Sequence, residues 1–222
     1  MHDICGAWQA RLIALAGASQ QDDGAHDLNH LHRVWRVAQQ LLADQRDADA
    51  LVVQAACYLH DIVNLPKNHP DRSHASRLAA QRACERLAQV GFPSEKLAGV
   101  AHAIEAHSFS AAIAPTTLEA KIVQDADRLD ALGAVGLARL FYTAGRMGSA
   151  LAHPSDPLML QREADDRTFA LDHIAVKLAR LPGSMQTEAG RRLGQARLEW
   201  LLAFRAEFIA EWGDGTDAGA GR

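Results

Sequence analysis

Imidazole and carboxylate side chains recur at four places in the chain. His30-Leu31-His32-Arg33 lies in a run of Leu, Val and Gln, and His60-Asp61 closes an apolar run. His102 and His107 stand five apart, and Asp125, Asp127 and Asp130 crowd one short stretch. Mixed nitrogen and oxygen donors of this kind suit a divalent ion such as Mn, Fe, Co, Ni or Zn. Mg is less favoured, because it prefers all-oxygen surroundings. Eleven histidines in 222 residues point the same way. On a helix, His60 and Asp61 diverge by about 100°. An ion astride both must therefore sit near a helix end and take its other ligands from other helices.

Helical geometry also limits what can act together. His30 and His32 lie about 200° apart around a helix, as do Asp125 and Asp127, so only one of each pair can face a given ion. His102 and His107, about 140° apart, are not expected to chelate one ion together; His107 at the helix end is the better site residue, and His102 reads as packed or hydrogen-bonded. His26-x-x-x-His30 has the spacing of helical zinc sites, with Asp27 where Glu is usual. Asp27, however, reads as a helix N-cap, which leaves His26 outside the helix.

The elements that must position these groups are helices. Ala, Leu, Gln, Arg and Glu fill most segments, and alternating β-branched runs are missing. The pattern predicts a first helix over roughly 3–19 and a second from Asp27 through Leu42. A third, Leu51 to Asp61, is capped by Asp47 or Asp49, and it is apolar nearly all round and so central. Asn64 to Arg72, with two prolines, must be a loop. Further helices are expected from Ser73 to Val90 and from Pro93 to His107. Another runs from Thr116 or Thr117 through Asp130, with a kink near Gly133 and Gly136. After a long connection over 145–167, helices are expected at about 168–180 and 185–212. The whole reads as one all-α domain over 1–212 with a fraying tail at 213–222.

Composition excludes several roles. A net charge of −4 argues against a stable nucleic-acid partner. No apolar run approaches the roughly 18 residues of a membrane span, and no basic n-region precedes an apolar stretch at the N-terminus. Cys5, Cys57 and Cys84 are odd in number and far apart, which fits a reducing, cytoplasmic setting. Trp8, Trp35, Trp200 and Trp212 read as core or interface anchors.

In order, His30, His60-Asp61 and Asp127 form an H…HD…D pattern that resembles the HD superfamily of metal-dependent phosphohydrolases. Ala56-Cys57-Tyr58-Leu59-His60-Asp61-Ile62-Val63, Ala106-His107-Ser108-Phe109-Ser110, Gln124-Asp125-Ala126-Asp127-Arg128-Leu129-Asp130 and Asp172-His173-x-x-x-Lys177 are similar to small bacterial HD proteins. The resemblance spans roughly residues 20 to 210. It implies an all-α, single-domain HD-type bundle with a central metal site, the ligands being His30, His60, Asp61 and Asp127. Asp127 is preferred to Asp125 because Ala126-Asp127-Arg128-Leu129 resembles the ligand run of the stringent-response nucleotide hydrolases. Asp130 would share the Asp127 face and order a histidine or water. Asn64 stands where those hydrolases carry acidic residues, so their substrate is set aside.

The implied reaction is hydrolysis of nucleoside or deoxynucleoside triphosphates to monophosphate and pyrophosphate. It would use a water activated by one divalent ion, Mn first, with Mg, Ni, Co, Fe or Zn as alternatives. Asp61, Arg33, Lys67 and Arg128 would serve the chemistry, and Lys67, His69, His107 and Lys177 would contact a nucleotide substrate. Alternatives on the same scaffold are a nucleoside 5′-monophosphatase, a diiron oxygenase and a nucleotide-sensing metal-binding domain. A homodimer is left open.

Overall fold

Asp49 opens helix α3 (Ala50–Leu59): its Oδ1 accepts from the backbone N–H groups of Leu51 and Val52 at 3.0 and 3.2 Å. Lys96 pairs with the same carboxylate, and Glu119 accepts from the Asp49 N–H at 2.8 Å. Every residue of α3 from Leu51 to Leu59 is buried, as its all-round apolar sequence requires. Each such Leu, Val or Tyr removes apolar surface worth about 1.5–3 kcal/mol. That burial holds the helix in place and sets the residues that follow it, buried His60 and half-buried Asp61.

A computed structural model of the chain describes residues 2–17, 27–63 and 74–213. The expected loop 64–72 with Asn64, Lys67 and His69, the Ser73 cap, His26 and the tail 214–222 fall outside those residues. Contacts group into two units, Met1–Leu129 with Met185–Gly190, and Asp130–Ser184 with Arg191–Arg222.

In the first unit α3 packs on α1 (His2–Gly17), α2 (Leu28–Leu42), α5 (Leu97–His107) and α6 (Leu118–Leu129), while α4 (Ala75–Gln89) lies along α5. Asp27 is the N-cap of α2, its carboxylate accepting from His30 N–H at 2.9 Å. The buried stripe His30, Leu31, Val34, Trp35, Val37, Ala38 and Leu41 turns inward at helical spacing. A short 3-10 turn, Ser94–Lys96, precedes α5. Thr117 caps α6, its hydroxyl accepting from Ala120 N–H at 3.2 Å. Trp8 is buried edge-on to Phe92.

In the second unit α7 (Gly133–Arg146) begins at Gly133, whose φ of +75° is left-handed and suits glycine. The sequence pattern allows a helix continuing through Asp130; instead α6 stops at Leu129, and Asp130 binds Arg139 at 2.5 Å. Asp130 is therefore occupied with a structural ion pair. The long connection is ordered around buried Asp172, which takes two N–H groups of Arg162 at 2.6 and 2.8 Å and the Asp165 N–H at 2.8 Å. The Asp165 N–H is held by Asp172, and those of Ala170 and Leu171 donate to the Ala150 and Leu151 carbonyls, so the helix expected over 168–180 shortens to α8 (Asp172–Val176). The final helix, α9 (Glu188–Trp212), starts three residues later than expected. Trp200 and Trp212 on α9 are exposed, at 46% and 37%, and an isolated bridge between Ala150 and Phe169 is the nearest approach to a sheet among the described residues.

Candidate metal centre

Three elements bring four donors around the His30–His60 pair. His30 comes from the buried face of α2, His60 and Asp61 from the end of α3, and Asp127 from the last turn of α6. His30 Nε2 stands 3.3 Å from His60 Nε2, 3.8 Å from Asp61 Oδ2 and 3.5 Å from Asp127 Oδ1. His60 Nε2 lies 3.5 Å from Asp61 Oδ2 and 3.6 Å from Asp127 Oδ1. The imidazoles are 1% exposed, whereas the carboxylates keep 24% and 28%, so the cluster opens to solvent on its acidic side.

Protonation can be read from the partners. His60 Nδ1 lies 2.9 Å from the Cys57 carbonyl, which can only accept. The N–H is therefore on Nδ1, and in the neutral ring the Nε2 lone pair points into the cluster. The Ile104 carbonyl does the same for His107 Nδ1 at 2.5 Å. Burial alone would lower the pKa of His60, but Asp61 and then Asp127 outweigh it and lift it to about 9. Burial and the neighbouring His60 charge push His107 down. The histidines bring Asp61 and Asp127 below the usual carboxylate range despite burial.

The donors fit a divalent ion. Ligands about 2.1 Å from a shared centre lie ~3.0 Å apart at right angles and ~3.4 Å apart in a tetrahedron, close to the 3.3–3.8 Å found here. His107 adds a third imidazole. Its Nε2 is 3.9 Å from Asp61 Oδ1 and its ring meets His60 edge-on at 4.8 Å. Two triads capable of holding an ion result, His30/His60/Asp127 and His60/Asp61/His107, sharing His60. The sequence pattern offers His107 as a site residue and substrate contact, outside the four-ligand set. Its approach to Asp61 depends on the packing of α5 on α3, which local pattern does not encode.

The histidines set aside by helical geometry are elsewhere. His32 Nδ1 is 3.0 Å from the Tyr58 hydroxyl, and His102 Nε2 accepts from the Thr116 N–H at 3.0 Å. Asp125 turns away from the cluster. Its carboxylate accepts from the N–H groups of Gln186 at 2.8 Å and Thr187 at 2.7 Å, and from the Thr187 hydroxyl at 2.8 Å. Gln124 Nε2 donates to the Ala106 carbonyl at 2.6 Å, tying α6 to the turn that carries His107. Neither tie was legible in sequence, because the partners are 18 to 62 residues away.

Among the cationic candidates, Arg33 is half-buried and near Asp27; burial raises the Asp27 pKa, but the Asn29 and His30 hydrogen bonds and then the Arg33 charge outweigh it and bring it down. Arg128 is half-buried beside Asp125 and Asp127, its guanidinium 5.9 Å from the centre of the Phe109 ring. Phe109, two residues beyond His107, is 72% exposed. Lys177 is exposed at the end of α8, in the second unit.

Comparison with known proteins identifies the family. Residues 27–132 match the HD domain family, a span that holds His30, His60, Asp61, His107 and Asp127. The chain is 33% identical to the uncharacterized protein YpgQ of Bacillus subtilis over 208 residues, 92% of each chain. The chain belongs to the HD-domain family. A crystal structure of B. subtilis YpgQ in complex with ADP superposes with a TM-score of 0.70 at 29% identity, covering 96% of this chain and 97% of that one. An HD-superfamily hydrolase from Bacillus thuringiensis superposes with a TM-score of 0.71 at 27% identity, covering 94% and 98%. The all-α HD fold is thus shared over nearly the whole chain. No described helix is long and apolar enough to cross a membrane.

Proposed function

We propose that this HD-family hydrolase cleaves the α–β phosphoanhydride of nucleoside or deoxynucleoside triphosphates with water, giving monophosphate and pyrophosphate. The observation that carries the reading is the convergence of His30, His60, Asp61 and Asp127, with the His60 tautomer fixed so that its lone pair faces the other donors. Those four residues would hold one divalent ion, Mn in the first instance. When bound, such an ion supplies Lewis acidity at a phosphoryl oxygen and a lowered pKa for a nearby water. The complex of the relative YpgQ with ADP supports a nucleotide as ligand.

The chain's own groups would do the rest. Arg128, next to Asp127, and Arg33, three residues after His30, would offset charge developing on the phosphoryl oxygens. Lys67 and His69 would contact the remaining phosphates, and His107 would stand as a neutral imidazole at the edge of the cluster. The open face of Phe109 offers a flat apolar surface on which a base can stack. That contact tolerates any base, because every base has a π-face.

The test is product analysis by phosphorus NMR, using protein loaded with Mn²⁺ and a panel of nucleoside triphosphates. Pyrophosphate and monophosphate as the first products support the proposal. Orthophosphate alone, or turnover of monophosphates only, would replace it with the phosphatase reading. The triad His60/Asp61/His107 favours a second reading, a two-iron oxygenase. Two irons per chain with dioxygen consumption and no nucleotide turnover would establish that instead. A chain that binds nucleotide and metal without hydrolysing the nucleotide or consuming dioxygen would be a sensor.

A further inference from the structure

Asp125 is fully buried and two residues from Asp127, yet it has no part in the cluster. Its carboxylate is bound by a segment some sixty residues later. Oδ1 accepts from Gln186 N–H, and Oδ2 accepts from Thr187 N–H and from the Thr187 hydroxyl, all at 2.7–2.8 Å. The same Thr187 hydroxyl accepts from Gly190 N–H at 2.9 Å, which makes Thr187 the N-cap of α9. Gly190 is required here by space. A Cβ on it would stand 2.4 Å from Asp125 Oδ2 and 2.8 Å from Thr187 Oγ1. Asp125, Thr187 and Gly190 therefore form one closed clamp.

The clamp bears on the cluster through the roll of α6. Asp125 and Asp127 project about 200° apart from one short helix, on a radius of roughly 5–6 Å. A roll of about 10° carries the Asp127 carboxylate about 1 Å, several times the ~0.2 Å that metal–ligand bonds tolerate. Gln124 steadies the helix against α5, but a single neutral hydrogen bond is weaker than three donors on one carboxylate.

We propose that Asp125 is a positioning residue, which through Thr187 and Gly190 sets the orientation of α6 and so the place of Asp127 in the metal centre. The proposal rests on the reading of Asp127 as a ligand. Nothing in it depends on which phosphate bond is cut, or on whether one is cut at all.

The experiment follows the visible absorption and affinity of Co²⁺ bound to the full-length chain, with far-UV circular dichroism as a check of fold. Asp125→Asn keeps the size but cannot accept all three donors; Gly190→Ala drives a methyl into Oδ2; Thr187→Val removes only the hydroxyl. Each is expected to change the Co²⁺ band shape and weaken binding about 10–100-fold, the range for residues that orient ligands. Thr187→Ser is expected to restore the wild-type spectrum. Should Asp125→Asn fail to fold, Thr187→Val and Gly190→Ala carry the test. Folded variants with wild-type spectrum and affinity, changed only in thermal stability, would overturn the proposal. A wild-type chain that binds no Co²⁺ would instead overturn the metal-centre reading beneath it.

Discussion

His30 Nε2 and His60 Nε2 face each other across 3.3 Å. The Cys57 carbonyl claims the other nitrogen of His60, so a neutral His60 presents its Nε2 lone pair to that gap, where it can meet a proton, an N–H or a cation. Asp61 and Asp127 flank the gap at 3.5–3.8 Å and favour the cation. Loss of either flank should therefore be felt as loss of metal. Asp127→Ala and His60→Ala are expected to lower Mn²⁺ affinity by at least 100-fold in titration calorimetry, with the helical content retained. Retention of Mn²⁺ at wild-type affinity by Asp127→Ala would mean that the α6 donor has been misassigned.

Acid–base behaviour gives a second expectation. The folded pKa of His60 is raised from the usual 6.5 to about 9. Its stabilisation of the metal-free protein is therefore complete below about pH 6.5 and is lost as pH rises through about 9. Asp61 and Asp127 are lowered, so their share is present above the ordinary carboxylate range and is lost in acid. Between those limits metal must displace a proton, and affinity is expected to climb with pH towards 9. Denaturant unfolding in chelator should show the metal-free protein weakening on the order of 1–3 kcal/mol from pH 6.5 to 9.5. A flat profile would contradict the ion-paired cluster.

Phe109 offers a test that leaves the metal alone. Phe109→Ala removes a ring that is largely in solvent, so it should fold normally. Under the stacking reading its KM for nucleoside triphosphates rises about 5–150-fold, since base–aromatic stacking is worth about 1–3 kcal/mol. Hydrolysis of inorganic tripolyphosphate, which has no base, should change little. Equal loss on both substrates would assign Phe109 to holding Arg128 rather than a base.

The Arg162–Asp172 pair predicts a stability effect unconnected with metal. Asp172 is fully buried and accepts from Arg162 and from the Asp165 backbone. Asp172→Ala leaves those donors without their acceptor, at a cost of about 3 kcal/mol. Urea unfolding should show it, while Co²⁺ spectra remain those of the wild type.

Local signals settled much of the architecture. Asp27 and Asp49 before apolar runs cap α2 and α3 as expected, because a cap needs only a side chain within three residues of the N–H groups it serves. Spacing alone also separated His30 from His32 and one of the α6 aspartates from the other, since 200° on a helix is a property of the chain by itself. Tertiary structure decided the rest. His107 meets Asp61 because α5 packs on α3, and Asp125 is claimed by Thr187, 62 residues on. Asp130 turns to Arg139 once α6 ends, and α8 shortens because Asp172 anchors the loop before it. Each of these depends on which distant donor reaches a buried carboxylate or imidazole, and a buried polar group takes whatever partner packing brings within about 3 Å.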